Sequence, residues 1–265
     1  RIRADVPAAF CLSGGIDSGG LASIAVKKLN CKIKTFSIID EDFRYNEENN
    51  VKKVVKDLNC ENEIIHISKE NFIDNLSNLI KYHDSPVYSL AQYLQSCLIN
   101  SIKNSGYKVA ISGTASDELF SGYYDHYLMH LKYLENSPNY EKNSKNWKKY
   151  VEPQIRNEIF KNEKLFINDP NYREYIYDHS QTLSKYLNKP EKYNFIEKNF
   201  TSDLFSNRRL NELFYEQVQP TLNNEDLNSM MYSVENRSPF LNKKLFDLCF
   251  SFSPELLINN GYSKH

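Results

Sequence analysis

Residues 8–20, Ala-Ala-Phe-Cys-Leu-Ser-Gly-Gly-Ile-Asp-Ser-Gly-Gly, constrain the fold of this chain more than any other stretch. The apolar run Ala8–Leu12 has the composition of a buried parallel strand, and it stops at Ser13-Gly14-Gly15, a tight turn. From Ile16 to Asn30 the apolar residues Leu21, Ile24, Ala25 and Leu29 recur at helical spacing, which predicts a helix. Strand, glycine turn and helix in that order put backbone N–H groups and the positive end of a helix in front of a phosphate. Gly14 and Gly15 let the backbone approach a ligand closely. Ser13 and Ser18 supply hydroxyl groups, and Asp17 offers the oxygen ligand that Mg2+ prefers. Gly19 and Gly20 each cost a helix interior about 1 kcal/mol relative to alanine. Close packing of the first helical turn against the sheet is the expected reason for them.

The alternation continues downstream. Strands are predicted at Lys32–Ile39, Glu63–Ile67 and Lys108–Ser112. Helices are predicted at Glu47–Leu58, about Lys69–Tyr82 and Leu90–Ser105, the last two separated by Asp84-Ser85-Pro86, since proline disfavours helix before it. Alternating strands and helices indicate an α/β fold, a parallel sheet with helices on both faces, which binds ligands at the carboxyl ends of its strands. From about Tyr123 the strand signal fades, and the rest is expected to be a helical C-terminal subdomain. The expected division is therefore a nucleotide-binding α/β core over 1–125 and a helical portion over 126–265.

Glycine is scarce, eight residues in 265, and six of them mark two places: Gly14, Gly15, Gly19 and Gly20 in the first loop, Gly113 and Gly122 in a second. That second stretch, Ser112 to Tyr123, follows a predicted strand. Its Asp117 and Glu118 open a predicted helix, where acidic residues complement the dipole; set opposite Asp17, Asp117 would complete a Mg2+ site. A third stretch runs from Asp226 to Asn242. Glu235 and Arg237 in it are two apart and do not face each other on a helix, so by themselves they read as surface charges. The chain ends Gly261-Tyr262-Ser263-Lys264-His265.

The first loop contains no Walker lysine. It resembles the PP-loop, S-G-G-x-D-S, of N-type ATP pyrophosphatases, matching at Ser13, Gly14, Gly15, Asp17 and Ser18. With Asp5-Val6-Pro7, Thr35–Ile38, Ser112–Tyr123, Asp226–Leu241 and Gly261–Lys264, the whole chain resembles, in order, the C-terminal synthetase domain of class B, glutamine-hydrolysing asparagine synthetases. That resemblance implies an adenine nucleotide alpha-hydrolase-like fold. It implies ATP over the first loop, with pyrophosphate held by Ser13, Gly14, Gly15, Asp17 and Ser18. Adenine would lie near Leu12, Ser37 and Ile38, with Ser112 and Gly113 also in the nucleotide site. Mg2+ would be held by Asp17 and Asp117, and Lys264, Asp117 and Glu118 would be catalytic. The implied reaction adenylates a small-molecule carboxylate, aspartate first, releases pyrophosphate and joins ammonia to give an amide and AMP.

Three departures bear on this expectation. The family's glutaminase domain, with its N-terminal cysteine nucleophile, precedes the matching segment, so ammonia would come from such a domain, from a partner or free. Family members also continue beyond Lys264. Thr114 stands where asparagine synthetases proper carry a glutamate; a threonine is no base near neutral pH, so Glu118 or another group would substitute, or the substrate differs. The alternative substrate is a sugar acid or sugar amide in bacterial surface-polysaccharide synthesis, and a second alternative is an ATP-binding homologue without chemistry. Another PP-loop enzyme, such as a tRNA-modifying one, is disfavoured by a net charge of −1 and by the absence of paired cysteines. Five scattered cysteines fit reduced thiols in a cytoplasmic protein. No nucleic-acid partner is expected, since lysine-rich 136–149 reads as solvated surface, and no membrane partner, since no apolar run approaches the length of a span. A homodimer is left open. His126 and His130, four apart, have no further ligand pattern for zinc.

Overall fold

The computed structural model describes residues 2–67, 70–87, 89–177, 185–186, 188 and 196–265. Arg1, the expected helix start at Lys69 and most of the polar stretch 188–194 lie outside the described residues. The chain forms two compact units, Arg1–Ala115 with Val218–Asn242, and Ser116–Gln217 with Lys243–His265. The sequence reading divides the chain once, near 125. In the structure Ser116–Asp125 belong to the second unit and Val218–Asn242 return to the first.

The first unit is built on a five-stranded parallel sheet, β1 (Ala8–Cys11), β2 (Lys34–Ile39), β3 (Glu61–His66), β4 (Val109–Ile111) and β5 (Glu235–Arg237), in the order β3-β2-β1-β4-β5. The helices of this unit are α1 (Ile16–Ser23), α2 (Glu48–Leu58), α3 (Phe72–His83) and α4 (Leu90–Asn104), joined by the later helix Val218–Met231. Successive residues of β1 point to opposite faces of the sheet. Phe10 packs with Ala22, Ala25 and Leu58 on the side of α1 and α2. Ala9 packs with Phe36, Ile99, Ile102 and Val234 on the side of α4. Helices therefore cover both faces, as an all-parallel sheet requires. Phe36 is fully buried, and burying a side chain of that size contributes about 1.5–3 kcal/mol.

Local signals set most boundaries. Helix α2 ends at Asn59 in the left-handed region, φ 47°, a common helix stop. Helix α3 ends at Asp84, φ 51°, two residues before Pro86. The first predicted helix differs. After α1 the chain passes into a π-helical turn, Ile24–Lys28, with Leu29 N–H donating to Ile24 O. The wider turn shifts the helical register, so Ile24 and Leu29 are 53% and 55% exposed while Ala22 and Ala25 are buried. The expected apolar face thus holds for Ala25 but not for its two larger neighbours. Strand β5 was not expected. Its Asn236 pairs with Ala110 of β4.

The second unit is helical. It opens with α5 (Ser116–Phe120), α6 (Tyr124–Tyr133) and α7 (Tyr140–Tyr150) and later includes the helix Leu204–Asn211. Leu128, Met129, Trp147, Phe166, Phe205 and Leu257 form its core. It closes with a hairpin, Ile258–Asn259 against Tyr262–Ser263, turned at Asn260 and Gly261, which both have positive φ (52° and 82°). Asn-Gly is the residue pair such a turn selects. No helix among the described residues is long and apolar enough to cross a membrane, and all five cysteines are free thiols.

Candidate functional site

The first loop lies at the carboxyl end of β1. Leu12 is buried, and its N–H donates to Phe36 O at 2.8 Å, extending the parallel ladder by one residue. The turn is then held by its own serines. Ser13 N–H donates to Ser18 Oγ at 3.0 Å, the two hydroxyls are 3.0 Å apart, and Gly15 N–H donates to Ser13 Oγ at 3.2 Å. Gly15 is the N-cap of α1 and supplies no side-chain cap, so no N-cap side chain occupies the positive end of this eight-residue helix. Gly14 N–H donates to the carboxylate of Glu47 at 3.2 Å. That hydrogen bond shows the loop presenting a backbone N–H to an anionic oxygen. A Cβ on Gly14 would lie 2.8 Å from the Cβ atoms of both Glu47 and Asn50, so no larger residue fits without movement.

Gly19 and Gly20 play different parts. A Cβ on Gly19 would meet Val54 of α2 at 3.6 Å, and one on Gly20 would meet nothing within 4 Å. The expected packing of this turn onto the sheet is therefore packing of Gly19 alone, onto a neighbouring helix.

The loop after β4 comes to the same end of the sheet. Ser112 N–H donates to Arg237 O at 3.0 Å, and a Cβ on Gly113 would lie 3.6 Å from Asp17 Cβ and from Ser18 N. Gly113 is thus brought against Asp17 and Ser18. At the end of β2, Ser37 is buried and its Oγ accepts from Asn62 Nδ2 at 3.0 Å, so its side chain is occupied within the sheet. Ile38 lines a cleft of about 470 Å³ together with Ile39, His66, Phe72, Tyr93 and Leu94.

Thr114 is tied to a residue that the sequence did not single out. Its hydroxyl donates to Glu225 Oε1 at 2.6 Å, and Asn236 Nδ2 donates to Glu225 Oε2 at 2.7 Å. Burial raises the Glu225 pKa, against these two hydrogen bonds. No local pattern marks Glu225; only the packing of its helix brings it to the loop.

The second unit holds Asp117, Glu118 and Lys264 together. Lys264 Nζ is 2.6 Å from Asp117 Oδ1. The closing hairpin aims Lys264, and Ser263 N–H donates to Tyr127 Oη at 3.0 Å. A Cβ on Gly122 would lie 1.6 Å from Asp117 Oδ1, so this glycine leaves the space that the carboxylate fills. Glu118 is buried and accepts from Tyr123 Oη at 2.7 Å. Burial, then the charges of Glu212 and Asp117, raise its pKa. Arg209 Nε donates to its backbone carbonyl at 3.0 Å.

His126 and His130 do not form a metal pair. His126 Nε2 bonds Glu212 Oε2 at 2.6 Å. Burial opposes the charged ring, but Glu212 and Asp125 outweigh it and raise the His126 pKa. Burial lowers that of His130 to about 4. Asp125, His126 and Glu212 are close enough to suggest a metal cluster. Arg208 occupies their centre of charge instead, with Nε 3.2 Å from Asp125 and 3.1 Å from Glu212. The Arg208 guanidinium supplies positive charge that these two carboxylates share.

The comparison with known sequences decides the family, because the asparagine synthase family model matches residues 1–265, the whole chain. The chain belongs to the asparagine synthase family. It is 28% identical to a glutamine-hydrolysing asparagine synthetase 1 of Bacillus subtilis (strain 168) over 286 residues, covering 100% of this chain and 43% of that protein. Over 46% of its length it is 32% identical to a maize asparagine synthetase, covering 22% of it. Over the same share it is 26% identical to the amidase chyE of Penicillium rubens, covering 20% of it. The chain spans less than half the length of these relatives.

Proposed function

We propose that this chain is the synthetase part of an ATP-dependent, AMP-forming amidotransferase. It adenylates a carboxylate, aspartate first among candidates, with release of pyrophosphate, and amidates it with ammonia, giving asparagine and AMP in that case. The observation that carries the reading is the Ser13–Ser18 loop at the carboxyl end of β1, with an uncapped helix behind it and an anion already on Gly14 N–H. These residues fit a pyrophosphate. The donor chemistry of Asp17 and Asp117 fits Mg2+, which takes carboxylate oxygens and supplies charge neutralisation when bound.

In this reading Ser13, Gly14, Gly15 and Ser18 orient the β and γ phosphates, and Leu12, Ile38, Ser112 and Gly113 border the nucleoside. The 470 Å³ cleft beside Ile38 supplies apolar surface of the kind a base buries. Lys264 stabilises charge as pyrophosphate departs, held in place by Asp117. Glu118, buried and bonded to Tyr123, maintains the helix that carries Asp117 and is assigned support rather than acid–base work. Catalysis is then mostly positioning and electrostatics. Ammonia would come from a glutaminase domain or partner.

One observation favours a second reading of the substrate. Thr114 replaces a carboxylate-bearing residue and is engaged with Glu225, which fits an acceptor other than aspartate, such as a sugar acid. ATP–pyrophosphate exchange on the full-length protein, with Mg2+ and a panel of carboxylates, tests both. Exchange dependent on aspartate supports asparagine synthesis. Exchange with a sugar acid alone supports the second reading, and no exchange with any acid contradicts the proposed activity.

A further inference from the structure

The first unit contains a hydrogen-bonded chain that the proposed reaction does not yet use. Ser238 Oγ and Ser112 Oγ are 3.3 Å apart, Ser112 Oγ and Thr114 Oγ are 3.1 Å apart, and Thr114 ends on Glu225 at 2.6 Å. Glu225 comes from the helix Val218–Met231, Thr114 from the loop after β4, and Asn236 from β5. Both carboxylate oxygens of Glu225 accept hydrogen bonds, from Thr114 and from Asn236. That arrangement suits the ionised acid, and it commits the Thr114 proton to Glu225. What Thr114 Oγ then offers a ligand is a lone pair. It recognises an N–H donor and turns away a carboxylate, which a second negative charge at Glu225 would also repel.

We propose that Thr114 receives the attacking nitrogen, and that Glu225 is the positioning residue that turns the Thr114 hydroxyl into a proton relay. The inference rests on the proposed amidation. As the nitrogen–carbon bond forms, the bond from that carbon to the AMP oxygen breaks and its electron pair leaves with AMP. One N–H proton passes to Thr114 Oγ while the Thr114 hydroxyl proton passes to Glu225 Oε1. A threonine needs no basicity of its own for this, because the acceptor is the carboxylate behind it. The location fits: Gly113, the preceding residue, packs against Asp17 and Ser18 of the phosphate loop.

The surroundings of Glu225 make its titration readable. The groups facing it are Thr114, Asn236 and the thiol of Cys11 at the end of β1, none charged at neutral pH. Burial, then the Glu225 charge, pushes the Cys11 thiol up to about 12. Burial also raises the Glu225 pKa, so a step that needs the ionised acid speeds up as pH climbs through that raised value.

The test uses the full-length protein with ATP, Mg2+, aspartate (or the panel acid that supports exchange) and ammonium chloride. Pyrophosphate exchange reports adenylation without the nitrogen, and amide formation reports the second step. Glu225→Gln and Thr114→Val are each expected to lower kcat for amide formation by about 100-fold or more, to change exchange by less than about 3-fold, and to erase the acidic limb of the pH–rate profile drawn at constant free ammonia concentration. Glu225→Asp and Thr114→Ser are expected to retain the limb. Amide formation unchanged in Glu225→Gln, or an acidic limb that survives it, overturns the relay while leaving the proposed activity standing. Parallel loss of exchange and amide formation in Glu225→Gln also overturns it, since that is the mark of a purely structural residue. A wild-type protein without exchange overturns the proposed activity, and the relay with it.

Discussion

Gly122→Ala isolates the geometry around Asp117. The backbone of Gly122 does not occupy the left-handed region, so alanine meets no conformational penalty there and only the new methyl matters. That methyl would lie 1.6 Å from Asp117 Oδ1, 2.4 Å from its Cγ and 2.9 Å from its Cβ. The carboxylate must retreat by roughly 2 Å to restore ordinary contact, which breaks the 2.6 Å pair with Lys264. Overpacking of this kind costs about 1–3 kcal/mol. The ion pair itself adds at most about 1 kcal/mol, because its side chains are 14% and 35% exposed and solvent screens them. Urea unfolding of the wild type, Gly122→Ala, Asp117→Ala and the double variant gives a cycle. Asp117→Ala removes the two closest contacts, so the double variant is expected to be about 1–2 kcal/mol more stable than additivity predicts. Additivity within about 0.5 kcal/mol would refute the clash. Pyrophosphate exchange should fall by about 100-fold or more in Gly122→Ala, as for loss of a charge-stabilising group.

Gly14→Ala must push apart the Cβ atoms of Glu47 and Asn50, both at 2.8 Å; a loss of about 1–3 kcal/mol by urea unfolding and weaker ATP binding by calorimetry are expected. Arg208→Ala leaves Asp125, Glu197, Glu212 and Glu216 without their shared cation, and a loss of about 3–5 kcal/mol is expected from the same assay. Glu118 has a raised pKa, mainly through burial, against an ordinary value of 4.5. The stability tied to its proton is complete below that ordinary value and is lost as pH rises through the raised one. Glu118→Gln should therefore gain on the wild type in melting temperature between acidic and neutral pH, and a constant difference across that range would contradict the burial argument.

Residues with local chemistry were legible from sequence. The apolar runs Ala8–Leu12 and Lys32–Ile39, the helical spacing of Val51, Val54, Val55 and Leu58, and the stop at Asp84-Ser85-Pro86 each carry their own reason for the element they form. So does the Ser13–Ser18 turn, where glycine, serine and aspartate follow a strand at fixed spacing. Strand β5 was not legible. Glu235-Asn236-Arg237 has no apolar alternation, and its strand character comes from pairing with β4, which is distant in sequence. Spacing of two placed Glu235 and Arg237 apart on a helix; on a strand it puts them on one face, where they pair at 2.9 Å. The π-turn at Ile24–Lys28 likewise defeated a fixed helical period. The Thr114–Glu225 contact joins positions 111 residues apart, and no local pattern encodes such a meeting. The Asn260-Gly261 pair that turns the chain back ahead of Lys264 is itself a local hairpin signal.

The proposed adenylation requires a carboxylate oxygen to attack the α phosphorus of ATP. The most direct measurement labels both carboxylate oxygens of the acid that supports exchange with a heavy isotope, lets the full-length protein turn over with ATP, Mg2+ and ammonium chloride, and weighs the products. Adenylation predicts one labelled oxygen in the phosphate of AMP and none in pyrophosphate. Label in free phosphate, with ADP as the nucleotide product, would contradict it.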